Sequence, residues 1–210
     1  MFVNREEAGN LLAKELEDYK NNKDAVIVTI PRGGVPIGYI IAKQLKLPLD
    51  IVLSKKIGHP LHKEFAIGAV TLNDIILSDD ASNVSTEYIE TETKRIRSVL
   101  KQRLNWYYGN KTPLNLKGKI VILVDDGVAT GNTLISSIKL IEQQKPSQII
   151  VGLPVGPPST IKKIRELASV KKTICLLTPY YFQAVGEFYQ EFNPVDDKEV
   201  INLLKAFVNN

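Results

Sequence analysis

The 210-residue chain has one cysteine, one tryptophan, one methionine and two histidines. A single cysteine, Cys175, excludes an intramolecular disulfide, and its place in the apolar run TICLL reads as a strand interior. His59 and His62 have the spacing of a metal pair, but one cysteine and no third histidine leave a structural zinc site without partners. No apolar run exceeds strand length, so no membrane-spanning helix is indicated. The opening MFVNREEAGN lacks the basic and apolar regions of a secretion signal, and a cytoplasmic location is the expectation. Also missing are Gly-x-x-x-x-Gly-Lys-Ser/Thr, any Gly-x-Gly and any Gly-x-Ser-x-Gly. Those absences exclude the P-loop, the dinucleotide fingerprint and the hydrolase nucleophile elbow. No dense Lys/Arg block with interleaved aromatics occurs, so nucleic acid is not the expected partner. The net charge of +4 instead suits a site that receives an anionic small molecule. With 44% hydrophobic and 24% charged residues, the chain has the composition of one ordinary globular domain, residues 1–210.

What is present concentrates in residues 121–134, VILVDDGVATGNTL. Val121 to Val124 have the length and β-branching of a buried strand. Asp125 and Asp126 stand where that strand should end. Gly127, Val128, Ala129, Thr130, Gly131, Asn132 and Thr133 then form a loop of mostly small residues, with an apolar-periodic helix opening behind it. Backbone N–H groups converge at a helix start, where the dipole favours negative charge. Small residues let a phosphate approach the backbone, and Thr130 and Thr133 add hydroxyl donors. The acidic pair would repel phosphate, so its natural partners are sugar hydroxyls or a divalent cation. A ligand with a phosphate at one end and a ribose diol nearby fits both halves.

Along the chain, strand-like runs alternate with helical periodicity. Helices are expected at 4–19, 35–45, 86–107, 131–144, 158–169 and from Asp196 to about 208; strands at 25–30, 49–54, 119–125, 148–154 and 172–177. That alternation predicts an α/β fold, a parallel sheet flanked by helices. Residues 55–115 break the rhythm and are expected to be an insertion of loop, hairpin and helix over the sheet edge. Within it, 55–65 reads as loop and 67–78 as a hairpin or two short strands. Gly58, Pro60 and the low apolar content suggest a mobile lid over 55–66, with Lys55, Lys56, His59 and Lys63 offered to an anionic ligand.

Arg32-Gly33-Gly34 follows the first strand. Two glycines beside an arginine can end a strand as a plain turn, or can bring backbone and guanidinium against a pyrophosphate. Lys55 and Lys56 read as a solvated pair when taken alone and as anion ligands beside two anion loops. Glu64 is the only carboxylate in its loop and is a candidate general base. Tyr180, Tyr181 and Phe182, after the last strand, either pack under the C-terminal helix or contact a substrate.

Apolar residues, two acids, a short spacer and Thr-Gly-x-Thr resemble the donor-binding motif of the type I phosphoribosyltransferases. The stretch IPRGGVPIGYIIAKQLKLPLDIVLSKKIGHPLHKEFAIGAV (30–70) and AVGEFYQEF (184–192) resemble one bacterial and archaeal branch of that family. The resemblance implies a Rossmann-like core with a small hood. It implies a phosphoribosyltransferase using 5-phosphoribosyl 1-pyrophosphate and Mg2+, the metal held mainly through substrate and water near Asp125 and Asp126. It carries the ribose contacts to Asp125 and Asp126, and the 5-phosphate to the loop from Gly127 through Thr133. Pyrophosphate falls to Arg32, Gly33, Gly34, Lys55 and Lys56, in a loop that often holds a cis non-proline peptide. The acceptor, a nitrogenous base, falls to Tyr181 and Phe182. A donor-sensing regulator is the alternative within the same superfamily, and a homodimer is compatible with either. Two departures stand out: Ala129 replaces a common Ser or Thr, and Gly127 replaces an apolar residue.

Overall fold

The computed structural model describes residues 1–208 except Glu64, Asn73, Asn110 and Lys111. Five strands form a parallel sheet: β1 (Ala25–Thr29), β2 (Leu49–Ile51), β6 (Ile120–Val124), β7 (Gln148–Val155) and β8 (Val170–Leu177), in the order β2-β1-β6-β7-β8. Successive strand residues face opposite sides, which explains why β1, β6 and β7 read as unbroken apolar runs. Ala25, Ile27, Ile122, Val124 and Ile150 pack against α1 (Arg5–Glu15) and α2 (Gly34–Leu45). Val26, Val28, Val121, Leu123, Ile149 and Val151 pack against α4 (Asn132–Gln143) and α5 (Pro158–Arg165) on the other side.

The first helix is shorter than 4–19. Asn4 caps it by accepting from the Glu7 N–H at 3.0 Å, but a separate 3-10 turn covers Glu17–Tyr19. The return arm of the expected capping box reaches one residue further back, from the Val3 N–H to Glu7 Oε2 at 2.6 Å.

Residues 55–115 hold a second, antiparallel sheet of β3 (Lys55–Gly58), β4 (Ala66–Val70) and β5 (Ile75–Leu77), followed by α3 (Thr86–Tyr108). The expectation of loop from residue 55 is corrected here: Lys55 pairs with Val70 and Lys56 with Ala69. Ile57 sits under α3 with Ile67, Ile96 and Leu100, and that one buried anchor turns a polar stretch into a strand. The hood is stitched to the core at Asp50. Its buried carboxylate accepts from the Tyr108 hydroxyl at the end of α3, from the Ile51 N–H at 2.8 Å and from the Leu114 N–H at 2.6 Å. The chain closes with α6 (Asp197–Val208), begun by Asp196 accepting from the Glu199 N–H at 2.8 Å.

Candidate active site

The strand order reverses at β1 and β6, since the chain leaves β1 for one edge and returns at β6 for the other. In open α/β sheets such a switch point leaves a crevice at the carboxyl ends of the strands. Thr29 lies opposite Val124 in that parallel pair, so the two loops that follow, 30–34 and 125–133, emerge side by side. The peptide between Pro31 and Arg32 is cis.

The two loops touch. A methyl on Gly33 would lie 2.0 Å from Oδ2 of Asp126, and one on Gly34 would lie 2.9 Å from the Val124 carbonyl oxygen. The acidic pair has a defined orientation. Asp125 Oδ1 accepts from the Asp126 N–H at 2.9 Å. Oδ2 of Asp126 accepts from Nε and Nη2 of Arg5 at 3.0 and 2.8 Å. Among the described residues, no hydrogen bond from another residue reaches Oδ2 of Asp125 or Oδ1 of Asp126. Burial and the neighbouring Asp126 charge push the Asp125 carboxyl well above the usual range. Burial also raises Asp126, and the Arg5 guanidinium partly opposes it. Two carboxylates placed this close and this dry favour hydroxyl or cation partners over anions.

The loop from Gly127 to Thr133 is held from behind. The Val128 N–H donates to the Val155 carbonyl at 2.9 Å, and Thr160 Oγ1 donates to the Ala129 carbonyl at 2.7 Å. Gly131, at φ +85°, turns the chain into α4 without any side-chain cap, which suits an anion at that helix start. Ala129, Thr130, Asn132 and Thr133 are exposed there. Gly127 has a packing reason: a methyl would lie 2.5 Å from the Val185 side chain, so Val185 supplies the apolar bulk that Gly127 lacks.

Arg32 is half exposed, 3.8 Å from Asp197 at the start of α6. Asp197 also accepts from the Tyr107 hydroxyl, and burial with that acidic partner pushes the phenol up to about 12. The two lysines part company. Lys55 shares a face with Ile57 and lies in the field of Glu92 on α3. Lys56 shares the opposite face with its cross-strand neighbours Ala69 and Ile76, which line a gap against Asn132 and Ile135 of α4. Lys56 is therefore on the side of the hairpin turned toward the start of α4. Tyr181 is 96% exposed, whereas Phe182 stacks on Phe188 with centroids 5.3 Å apart. The candidate base Glu64 lies outside the described residues. His59 and His62 stack on each other at 5.9 Å, and no group of three His, Cys, Asp or Glu among the described residues could hold a metal.

Sequence reasoning missed Arg5 and Asp197. Nothing local marks Arg5, which reaches Asp126 across 121 positions of chain. Tyr189 stands out in the sequence only as part of the resembling stretch AVGEFYQEF, yet its hydroxyl donates to the Asp126 carbonyl at 2.6 Å.

A parallel sheet with an acidic pair and two touching loops at its switch point defines a ligand-binding α/β domain. Residues 4–185 match the model of the phosphoribosyl transferase domain, and the chain belongs to that family. Over 208 residues it is 30% identical to a Mycobacterium tuberculosis (H37Rv) protein provisionally named a phosphoribosyl transferase, covering 97% of this chain and 46% of that one. The chain thus spans about half the length of the curated relatives it matches. A uracil phosphoribosyltransferase from Mycoplasma genitalium is 38% identical over 60 residues, 29% of each chain. The crystal structure of TT1426 from Thermus thermophilus matches with a TM-score of 0.87 at 34% identity, covering 98% of both chains. No helix among the described residues is long and apolar enough to cross a membrane.

Proposed function

We propose that the domain transfers the phosphoribosyl group of 5-phosphoribosyl 1-pyrophosphate to a ring nitrogen of a nitrogenous base and releases pyrophosphate. The observation that carries this reading is the junction of the two loops at Gly33 and Asp126, with one unused oxygen on each of Asp125 and Asp126. Two unused carboxylate oxygens match the two hydroxyls of a ribose. The α4 start takes the 5-phosphate. The Arg32-Gly33-Gly34 turn and Lys56 take the pyrophosphate, with Lys55 farther off on the α3 side of its strand.

The acceptor nitrogen attacks C1 as the C1–O bond to pyrophosphate breaks, and the electron pair leaves with the pyrophosphate. The configuration at C1 inverts. The acceptor's proton passes to a base, for which Glu64 is the candidate. Charge builds on the leaving group and on an oxocarbenium-like ring, so the protein acts by positioning, charge neutralisation and exclusion of water. Mg2+ fits as a companion of the donor: the acidic pair offers hard oxygen ligands, directly or through water, but too few for a cage. When bound it neutralises the pyrophosphate as it departs. Tyr181, free in solvent, is the better placed of the two aromatics to stack on a base.

The test is pyrophosphate release from the donor with Mg2+, screened against a panel of purine and pyrimidine bases. Release with at least one base is expected. Tight donor binding without release for any base would overturn the catalytic reading in favour of a donor-sensing regulator.

A further inference from the structure

The acidic pair is held by a brace built from residues 2–5 and 188–193. Phe2 pairs with Tyr189 as an isolated parallel bridge: the Phe2 N–H donates to the Phe188 carbonyl and the Gln190 N–H donates to the Phe2 carbonyl, each at 2.8 Å. The Glu191 N–H donates to the Val3 carbonyl at 2.9 Å. This pairing delivers Arg5 to Asp126 with its guanidinium engaged on several sides. Nε and Nη2 hold Asp126 Oδ2, Nη1 donates to the Asn193 carbonyl at 2.8 Å, and the Phe192 ring lies 3.9 Å beneath the guanidinium carbon. Tyr189 fixes the backbone of the same residue through the Asp126 carbonyl. The side chains of this pair are only 12% and 15% exposed, so the contact is not a solvated surface pair. Residues 188–193 lie beyond the 4–185 matched by the family model.

We propose that Arg5 is a positioning residue for donor binding: it occupies one oxygen of Asp126 so that the other is presented to the ribose. A free Asp carboxylate can rotate about its χ2 bond and exchange its oxygens. Two N–H donors on Oδ2, in a guanidinium that is itself fixed at Asn193 and Phe192, remove that freedom before the ligand arrives. Gly33 blocks the remaining escape, because its Cα faces the same oxygen. The brace also accounts for AVGEFYQEF, whose Tyr189 and Phe192 build the support for one carboxylate rather than a substrate pocket.

This proposal rests on the reading of Asp126 as a ribose contact, and the experiment separates the two. Binding of the donor with Mg2+, of ribose 5-phosphate and of pyrophosphate alone is measured by calorimetry. The proteins are the unaltered chain, Arg5→Gln, Arg5→Lys, Asp126→Asn and Arg5→Gln with Asp126→Asn. Arg5→Gln should weaken the two ribose-bearing ligands by about tenfold, the scale of one charge-assisted hydrogen bond. Pyrophosphate binding should be unchanged, and Arg5→Lys should recover part of the loss. In the Asp126→Asn background, Arg5→Gln should add almost nothing, because its action passes through Asp126. An undiminished Arg5 effect in that background, or equal losses for all three ligands, overturns the positioning role. A severe Asp126→Asn loss with a silent Arg5→Gln overturns the brace and leaves the donor site standing. Full donor affinity in both single variants overturns the donor site as well. Should Arg5→Gln fail to fold, Arg5→Lys with and without Asp126→Asn completes the same cycle, and additive losses there refute the proposal.

Discussion

Gly33 and Asp126 are in contact across the site: a methyl on the glycine would lie 2.0 Å from Oδ2 and 2.6 Å from the carboxyl carbon. An unrestrained side chain could swing away, but Arg5 holds this one with two hydrogen bonds. Gly33→Ala should therefore displace Asp126 and weaken donor binding, while the fold survives. Gly34→Ala differs in kind, since its methyl meets the Val124 carbonyl oxygen at 2.9 Å and Asp125 Cα at 3.0 Å. Backbone there belongs to the central strand and cannot retreat, so unfolding should cost about 1–3 kcal/mol less than in the parent. Thermal melts beside donor titrations distinguish the two, and a Gly33→Ala protein with parental affinity would contradict the contact.

The acidic pair should be indispensable to the donor. Each Asp→Asn exchange at 125 and 126 removes a charged acceptor whose hydrogen bonds are worth about 1.5–3 kcal/mol. The double variant should lose donor affinity by at least the worth of one such bond, and calorimetry showing undiminished binding would remove the ribose assignment.

Arg32 makes a separable prediction. It faces Asp197 at 3.8 Å, a loose and half-exposed pairing that an anion can replace. Arg32→Ala should weaken pyrophosphate and the full donor more than ribose 5-phosphate, which lacks the group Arg32 would hold. Uniform losses would make Arg32 a prop for α6 instead.

The core and the two loops at its switch point were legible because their signals are local. Unbroken β-branched runs marked β1, β6 and β7, and a small-residue turn marked each loop. What stayed hidden depends on distant partners. Arg5 has a role only because a parallel bridge brings Phe2 to Tyr189, a pairing no period or spacing encodes. Lys55–Gly58 looked like loop because Ile57 alone among its residues is buried, and its burial requires α3, which begins some thirty positions later. Phe182 could not be assigned from aromatic content, since stacking on Phe188 and stacking on a base use the same surface.

Asp50 yields a pH dependence. Burial raises its carboxyl above the ordinary 3.8, and hydrogen bonds from Tyr108, Leu114 and Ile51 only partly offset that. The folded protein therefore keeps this proton to a higher pH than the unfolded chain does. As pH rises from about 3.8 through the raised value, folding must surrender a proton it prefers to hold, and stability falls. Below that window the contribution is fully present. Asp50→Asn cannot titrate, so the stability difference between parent and variant should slope across the window and flatten above it. Denaturant unfolding at a series of pH values reads this directly, and parallel curves would refute it.

The hood determines where a lid can be. The sequence suggests mobility throughout 55–66, but Lys55–Gly58 is laddered to Ala66–Val70, and Ala66–Val70 in turn to Ile75–Leu77. Lys63 at the tip reaches Tyr88 on α3 at 2.9 Å, and the Tyr88 hydroxyl donates to the Gly58 carbonyl at 2.8 Å. The ladder and the Tyr88–Gly58 bond fix the base of the hairpin without any ligand, and Lys63 ties the tip to α3 only through its long side chain. At the tip, the His59 N–H donates to the Phe65 carbonyl at 2.8 Å, but Leu61 is exposed and nothing apolar packs it down. Hydrogen exchange in the ligand-free protein should find the amide of Ile57 protected and those of Leu61, His62 and Lys63, in an exposed turn, open. Donor with Mg2+ supplies a counter-charge to Lys63 and hydrogen-bonding partners to the histidines, so added protection should be confined to that tip. Uniform exchange across the whole hairpin before binding would restore the longer lid, and a tip already protected without ligand would leave none.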